Sequence, residues 1–278
     1  MVRFLHISDS HIGPNSAFTT CGHNPLRELQ ELVSVINALP FPFDFVLHTG
    51  DVVDESSSAS YELARSILAA LQAPIYYLPG NHDCGLRMQR TLLGRKDPLE
   101  GFDQSFVLGG VQVLLLDSRG SIQPGGELRL SQLEWLASFC AAEGPPLVIA
   151  LHHPPITLDV PWLDTDCAMA VPMLLSNREA FIKTIAPARS RLRGVFFGHV
   201  HRSFQVVENG IFFTSAPSIV GQLKTWPGLT EPILAAEEAG GYGLVTIEKH
   251  RTIVQQYSFS RAALQPLAAE VTTHPRNG

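Results

Sequence analysis

The chain has 278 residues, 45% of them apolar and 17% charged, with a formal net charge of −6. That length and apolar content suit one large α/β domain with a buried core. The acidic balance argues against a broad basic face for nucleic acid or an anionic membrane. No apolar run approaches the ~20 residues that span a bilayer. An anionic small substrate stays open, because bound cations reverse the local field. Cys21, Cys84, Cys140 and Cys167 show no C-x-x-C spacing, which reads as reduced thiols in a cytoplasmic protein. The first apolar run, 2–7, is too short for the core of a signal peptide.

In chain order, residues 3–8 form a short apolar strand ending in Asp9-Ser10-His11. Side chains two apart on an extended backbone point the same way. A hard oxygen beside an imidazole nitrogen suits Fe, Mn, Zn or Co rather than Ca, although a lone Asp-x-His is more often a polar loop end. Residues 14–24 are loop. Residues 25–39 have helical periodicity (Leu26, Leu29, Leu32, Val33, Ile36) with Pro25 in the first turn. The apolar run 41–47 reads as a buried strand that breaks into Gly50-Asp51-Val52-Val53-Asp54. Gly50 permits a sharp turn and a close approach. Asp51, at the mouth of that strand, is expected to bridge two cations with its two oxygens, at the roughly 3.5–4 Å separation of two-metal hydrolytic sites. Asp54 is expected to order the loop.

A helix over 61–71 and a strand over 73–78 complete a βαβαβ unit, closed by Gly80-Asn81-His82-Asp83. The Asn81 carbonyl oxygen offers a neutral ligand there. His82 is assigned to substrate, as donor to a phosphoryl oxygen and general acid to the leaving alkoxide. Asp83 is expected to orient its imidazole. Strands over 104–108 and 111–116 flank the hairpin signal Gly109-Gly110. Ser131, with Glu134, caps a helix running to about residue 142. The strand 145–151 ends in His152-His153-Pro154-Pro155, where His152 is the expected ligand and His153 faces substrate or supports its neighbour. Residues 156–177 are an insertion holding Trp162, Asp164 and Asp166, a lid or a subunit contact. After a helix over 177–185, a strand over 194–197 leads to Gly198-His199-Val200-His201, with two imidazoles on one side. Hairpins over 204–214 and 243–259 suggest a second, antiparallel sheet beside the first, and 268–278 is a polar tail.

Taken together, Asp9-x-His11, Gly50-Asp51-x-x-Asp54, Gly80-Asn81-His82-Asp83, His152-x-Pro154 and Gly198-His199-x-His201 resemble the five blocks of the calcineurin-like metallophosphoesterase superfamily, in order and spacing, across residues 3–203. His-His-Pro-Pro with Gly-His-Val-His further resembles the class III cyclic nucleotide phosphodiesterases and the glycerophosphodiesterases close to them. The resemblance implies an α/β fold, a four-layer α-β-β-α sandwich of two mixed sheets flanked by helices. It would be a single domain over 1–267 with cap-like insertions near 156–177 and 215–239. It implies two divalent or trivalent metal ions (Fe, Mn, Zn or Co). One would be held by Asp9, His11, Asp51 and His201, the other by Asp51, Asn81, His152 and His199. Asp51 and His82 would be catalytic, with Asn81, His82 and His153 binding substrate, and a metal-bridging hydroxide would attack phosphorus in line. The expected substrate is a small phosphodiester, either a 3′,5′-cyclic nucleotide such as cAMP or a glycerophosphodiester. A homodimer or higher homo-oligomer is expected, with no nucleic acid polymer or membrane as partner.

Two other classes compete. A phosphomonoesterase or protein phosphatase on the same site would need extra cations for a doubly charged ester, and Arg87, Arg119 and Arg202 are the candidates. A non-catalytic metal-bound scaffold would have no chemical need for His82.

Overall fold

The computed structural model describes residues 1–121, 123–164 and 173–259. Asp166, Cys167 and the 268–278 tail lie outside them. The first half follows its alternation of apolar runs and amphipathic stretches, as β1 (Val2–Ile7), α1 (Pro25–Asn37), β2 (Phe45–His48), α2 (Ser58–Leu68), β3 (Ile75–Tyr77) and α3 (Gly85–Thr91). α1 starts where the Asn24 side chain accepts the Arg27 N–H at 3.1 Å and Pro25 fills the first turn. Its stripe of Leu29, Leu32, Val33 and Ile36 is buried. α2 begins ahead of the expected residue 61 because Ser57 Oγ accepts the Ser60 N–H at 3.1 Å and caps the helix there.

The second half comprises β4 (Gln104–Leu108), β5 (Val111–Leu115), α4 (Leu130–Phe139), β6 (Leu147–Ala150), α5 (Pro161–Asp164), α6 (Arg178–Ile185), β7 (Leu192–Phe197), β8 (Gln205–Glu208), β9 (Ile211–Ser215), β10 (Gln222–Lys224), β11 (Ile233–Ala235), β12 (Gly241–Ile247) and β13 (Thr252–Ser258). At the start of α4 the side chain turning back is Gln132, which accepts the Arg129 N–H at 2.9 Å, rather than the Ser131 and Glu134 pair.

One sheet runs β13-β12-β1-β2-β3 and the other β4-β5-β6-β7-β9-β8. In the first, β1, β2 and β3 are parallel; in the second, β5, β6, β7 and β9 are. The late hairpins do not build a sheet of their own, as the sequence had suggested. β12 pairs antiparallel with β1, and β9 pairs parallel with β7, so each hairpin extends a different sheet. Burial explains the split: all seven residues of β12 are buried, so it needs cover on both faces and belongs inside a sheet.

The layers follow from the pleat, which sends alternate side chains to opposite faces. Phe4, Phe45, Leu47, Val113, Leu115, Val148, Ala150, Phe196 and Val245 form the core between the sheets. Leu5, Ile7 and Val46 turn outward to α1, α2 and α3. Leu147, Ile149, Val195 and Phe197 turn outward to α4 and α6. The order helix, sheet, sheet, helix is the expected four-layer α/β sandwich. No helix of the described residues is long and apolar enough to cross a membrane.

The two expected insertions meet each other. Trp162, buried, donates its backbone N–H to Leu229 O at 3.1 Å and its indole N–H to Lys224 O at 3.3 Å. Asp164 accepts the N–H groups of Leu158 and Val160, which closes the turn around α5. The described part of 156–177 is therefore docked on β10 and its following loop.

Phe45 stacks on Phe4 at 4.8 Å and meets Phe106 of the other sheet edge-on at 5.8 Å. Phe45→Ala opens a cavity at the sheet interface that rigid backbones cannot close. It is expected to lower unfolding stability by about 3–5 kcal/mol in urea titrations; a loss below about 1 kcal/mol would mean that the two sheets are not packed through this ring.

Candidate metal centre

Parallel strands end at a common edge, and here the parallel strands of both sheets end at the same place. β1 leads to Asp9 and His11, β2 to Asp51, β3 to Asn81, β6 to His152, and β7 to His199 and His201. The loops continue the pairing of β1 with β2: Asp9 N–H reaches Gly50 O at 3.0 Å and His11 N–H reaches Asp51 O at 3.0 Å.

The backbone at these turns is not the extended one that the Asp-x-His and His-x-His spacings predict. Asp9, His11, Asp51, His199 and His201 have φ of 56°, 43°, 50°, 71° and 48°, in the left-handed region that non-glycine residues seldom enter. Each such residue costs on the order of 1–3 kcal/mol and persists only where its surroundings impose it. The side chains converge because the backbone turns back at each ligand position. Gly50 has φ of 102°, and a Cβ there would lie 2.5 Å from His152 Nδ1. A Cβ on Gly80 would lie 2.2 Å from Asp51 Oδ1. The two glycines give the carboxylate and imidazole their room.

Two clusters result. In one, His11 Nε2 lies 3.0 Å from His201 Nε2 and 3.8 Å from Asp51 Oδ2, and His201 Nε2 lies 3.7 Å from Asp9 Oδ1. In the other, His152 Nε2 lies 3.2 Å from Asp51 Oδ2, 3.2 Å from Asn81 Oδ1 and 3.1 Å from His199 Nδ1. The seven residues expected as ligands are thus brought together, in two groups that meet at Asp51 and at Asp9, which also lies within metal-binding reach of Asp51 and His152. Asp51 is common to both, with one refinement: Oδ1 accepts the His82 N–H at 2.9 Å, leaving Oδ2 to face both clusters.

The donor chemistry fits cations. His201 Nδ1–H donates to Gly221 O at 2.9 Å and His152 Nδ1–H donates to Thr49 O at 2.7 Å, so each ring turns Nε2 into the site. Two imidazole nitrogens at 3.0 Å need a proton or a cation between them. Asp9, Asp51, His152 and His199 are all buried, where carboxylates and rings crowded together require counter-charge. Burial opposes a charge on His152, but the adjacent Asp51 carboxylate carries it up to about 9. Burial likewise opposes ionisation of Asp51, and His152 outweighs it, holding the carboxyl well below its ordinary range.

Other residues fall elsewhere than expected. Asp83 does not orient His82. Its carboxylate accepts the N–H groups of Gly80 at 3.0 Å and Val52 at 3.1 Å and the Tyr61 hydroxyl at 3.0 Å, so it ties the Asp51 loop to the Asn81 loop. Burial, then the charge on Asp51, pushes it up to about 6. The group that orients His82 is the Asp54 carbonyl, which accepts its Nδ1–H at 2.6 Å. Asp54 also places Oδ1 3.3 Å from His11 Nδ1, so this loop-ordering residue holds two site histidines. His82 is exposed at the rim.

His153 does not face substrate. It is fully buried behind His152, donates Nε2–H to Pro124 O at 3.0 Å, and takes the Ser118 hydroxyl on Nδ1 at 2.9 Å. Ser118 Oγ also accepts the backbone N–H groups of His152 and His153, both at 3.2 Å. Sequence reasoning missed Ser118 as a support. Its signal was position: it follows β5 as the ligands follow their own strands.

The calcineurin-like phosphoesterase family model matches residues 2–203. A 3′,5′-cyclic-nucleotide phosphodiesterase of Nostoc sp. is 28% identical over 226 residues, covering 81% of this chain and 80% of that protein. The 3′,5′-cyclic adenosine monophosphate phosphodiesterase CpdA of Escherichia coli K12 is 30% identical over 225 residues, covering 80% and 78%. Among solved structures, a dimetal phosphatase from Danio rerio superposes with a TM-score of 0.62 at 13% identity, over 93% of this chain and 99% of that one, a likeness of fold.

A cation can take His152 Nε2 only when no proton sits there. Mn²⁺ affinity is therefore expected to rise as pH is raised from 6 to about 9, with protons released on binding near pH 7. Calorimetry in buffers of different ionisation enthalpy measures this; pH-independent affinity with no proton release would mean that Asp51 does not hold a proton on His152 in the metal-free protein.

Proposed function

The chain belongs to the calcineurin-like phosphoesterase family, and we propose that it hydrolyses small phosphodiesters, 3′,5′-cyclic nucleotides such as cAMP first among them, on a site for two cations. Asp9, His11, Asp51 and His201 would hold one and Asp51, Asn81, His152 and His199 the other. When bound, the pair would supply an acidified water as nucleophile and neutralise charge on the phosphoryl oxygens. Fe, Mn, Zn and Co all suit this donor set.

The protein's own groups account for the rest of the reaction. Asn81 turns Oδ1 toward His152, so its NH₂ is the end left to donate to a phosphoryl oxygen. His82, fixed through Nδ1–H to the Asp54 carbonyl, keeps Nε2 for the substrate. In the imidazolium form it gives the Nε2 proton to the leaving oxygen and reverts to the neutral ring, while the carbonyl holds the ring plane throughout. Exposure lets it recover that proton from solvent.

The observation that carries the diester reading is the engagement of the arginines. Arg119 is bound to Asp117 through Nε at 2.8 Å and Nη2 at 2.6 Å. Arg202 is paired with Glu238. Arg87 donates to the Ser56 carbonyl. The first two are spent on carboxylates and offer little to the second charge of a monoester, whereas a singly charged diester has no such need. The names of the sequence relatives support a cyclic nucleotide in the same sense.

The deciding experiment is a turnover panel on Mn-loaded protein, comparing bis(p-nitrophenyl) phosphate, p-nitrophenyl phosphate, 3′,5′-cAMP, 2′,3′-cAMP and glycerophosphodiesters. Diesters are expected to exceed the monoester by orders of magnitude in kcat/KM, with 3′,5′-cAMP the best natural substrate. A monoester preference would move the protein to the phosphatases and point to Arg87. His82→Ala is expected to retain both cations and lose about 10²–10⁴-fold in kcat on cAMP, whose leaving group is an alkoxide. It should lose far less on the p-nitrophenyl diester, and equal losses on both would refute proton donation by His82.

A further inference from the structure

His48 is the last residue of β2 and faces the helix side of its sheet, 6.2 Å from the ring of Tyr77. It is fully buried, and nothing in the reaction described above uses it. Both nitrogens are nevertheless engaged, and their partners fix the tautomer. The Gly50 N–H donates to Nδ1 at 3.3 Å, so Nδ1 is the acceptor and Nε2 carries the hydrogen. That Nε2–H meets Ser10 Oγ at 3.0 Å, and the Ser10 hydroxyl passes its own hydrogen to Val52 O at 2.9 Å.

These three bonds close a circuit around Asp51. They begin at Gly50, cross to the loop after β1 at Ser10, and return at Val52. Ser10 itself lies between Asp9 and His11. The circuit therefore grips the residue before and the residue after Asp51, together with the residue between two ligands of the other strand. Both loops hold left-handed backbone at their ligand positions, a conformation that local preference does not supply. An apolar side chain at 48 would leave a buried N–H without a partner and free the Ser10 hydroxyl to rotate. Burial depresses the His48 pKa to about 3, so the neutral ring keeps these roles at any working pH.

We propose that His48 is a positioning residue that holds the loops bearing Asp9, His11 and Asp51 in register, and thereby sets how well one Asp51 oxygen serves both cation positions. The inference rests on the two-cation reading of the site. His48 touches neither the substrate nor a ligand side chain; it acts through the backbone of the turns.

The test compares wild type with His48→Leu, His48→Gln and Ser10→Ala. Mn²⁺ affinity is measured by calorimetry, exchange coupling between the bound ions by electron paramagnetic resonance, and Tm in parallel. Wild type should bind two Mn²⁺ and show a coupled spectrum; if it binds only one, the two-cation reading fails first and this inference with it. His48→Leu should bind Mn²⁺ about 10–100-fold more weakly and give the spectrum of isolated ions. His48→Gln keeps a donor for Ser10 and should recover part of both. Ser10→Ala removes one hydroxyl without disturbing the core, so it reads the same circuit even if His48→Leu does not fold, and it should shift affinity and coupling in the same direction. Wild-type affinity and coupling in Ser10→Ala, or in a folded His48→Leu with a lowered Tm, would reduce His48 to core packing and overturn the proposal.

Discussion

The structure depends on the crowding of acceptors around a single oxygen, Asp51 Oδ2. Two histidine clusters from two sheets point at it, one at 3.8 Å and one at 3.2 Å. Without counter-charge such a gathering of buried carboxylates and lone pairs is among the costliest arrangements a fold can hold. Five left-handed backbone positions, at Asp9, His11, Asp51, His199 and His201, bring these groups together at the ends of otherwise apolar strands.

Support for that centre comes from a further layer of polar groups, each fully or largely buried. Thr49 O and Gly221 O accept N–H from His152 and His201 and fix which nitrogen faces inward. Ser118 holds the backbone of His152 and His153, and the Ser218 hydroxyl donates to Asp9 O at 3.0 Å. Asp83 joins the second and third loops as His48 and Ser10 join the first and second. The centre is built from loops, which are the flexible parts of most folds, and this layer makes them as determined as strands.

Much of this could be read in the chain beforehand. The apolar runs and their Gly-Asp, Asn-His and His-x-His endings marked the strand ends that converge, and the family resemblance joined the seven candidate ligand positions into one set. Asn81 entered it because a carbonyl oxygen can serve as a neutral donor. The period-3.6 pattern marked α1, α2, α4 and α6 to within about three residues, and left α3 and α5, which are short, unmarked. Misreadings clustered where a side chain's direction mattered. His153 and Asp83 are the residue types that bind substrate or orient a ring, and each sits beside a site residue in sequence. Neighbouring side chains on a loop leave in different directions, so His153 turned into the core and Asp83 toward the backbone N–H groups of Gly80, Val52 and Val53. The final hairpins matched the antiparallel pattern of a separate sheet, and only the need of β12 for cover on both faces placed it beside β1.

The amino-acid sequence by itself determined the inventory: which strands end in Asp, Asn and His, that the donors gathered there are oxygen and imidazole nitrogen, and that a further histidine, His82, stands next to them. These are local properties, carried by composition, spacing and hydrophobic period. The tertiary structure decided which oxygen of Asp51 is shared, which nitrogen of each ring faces the site, that the Asp54 carbonyl steadies His82, and that His48 ties two loops together. Those facts depend on distances between residues 20 to 190 positions apart in the chain, and such distances exist only once the chain has folded.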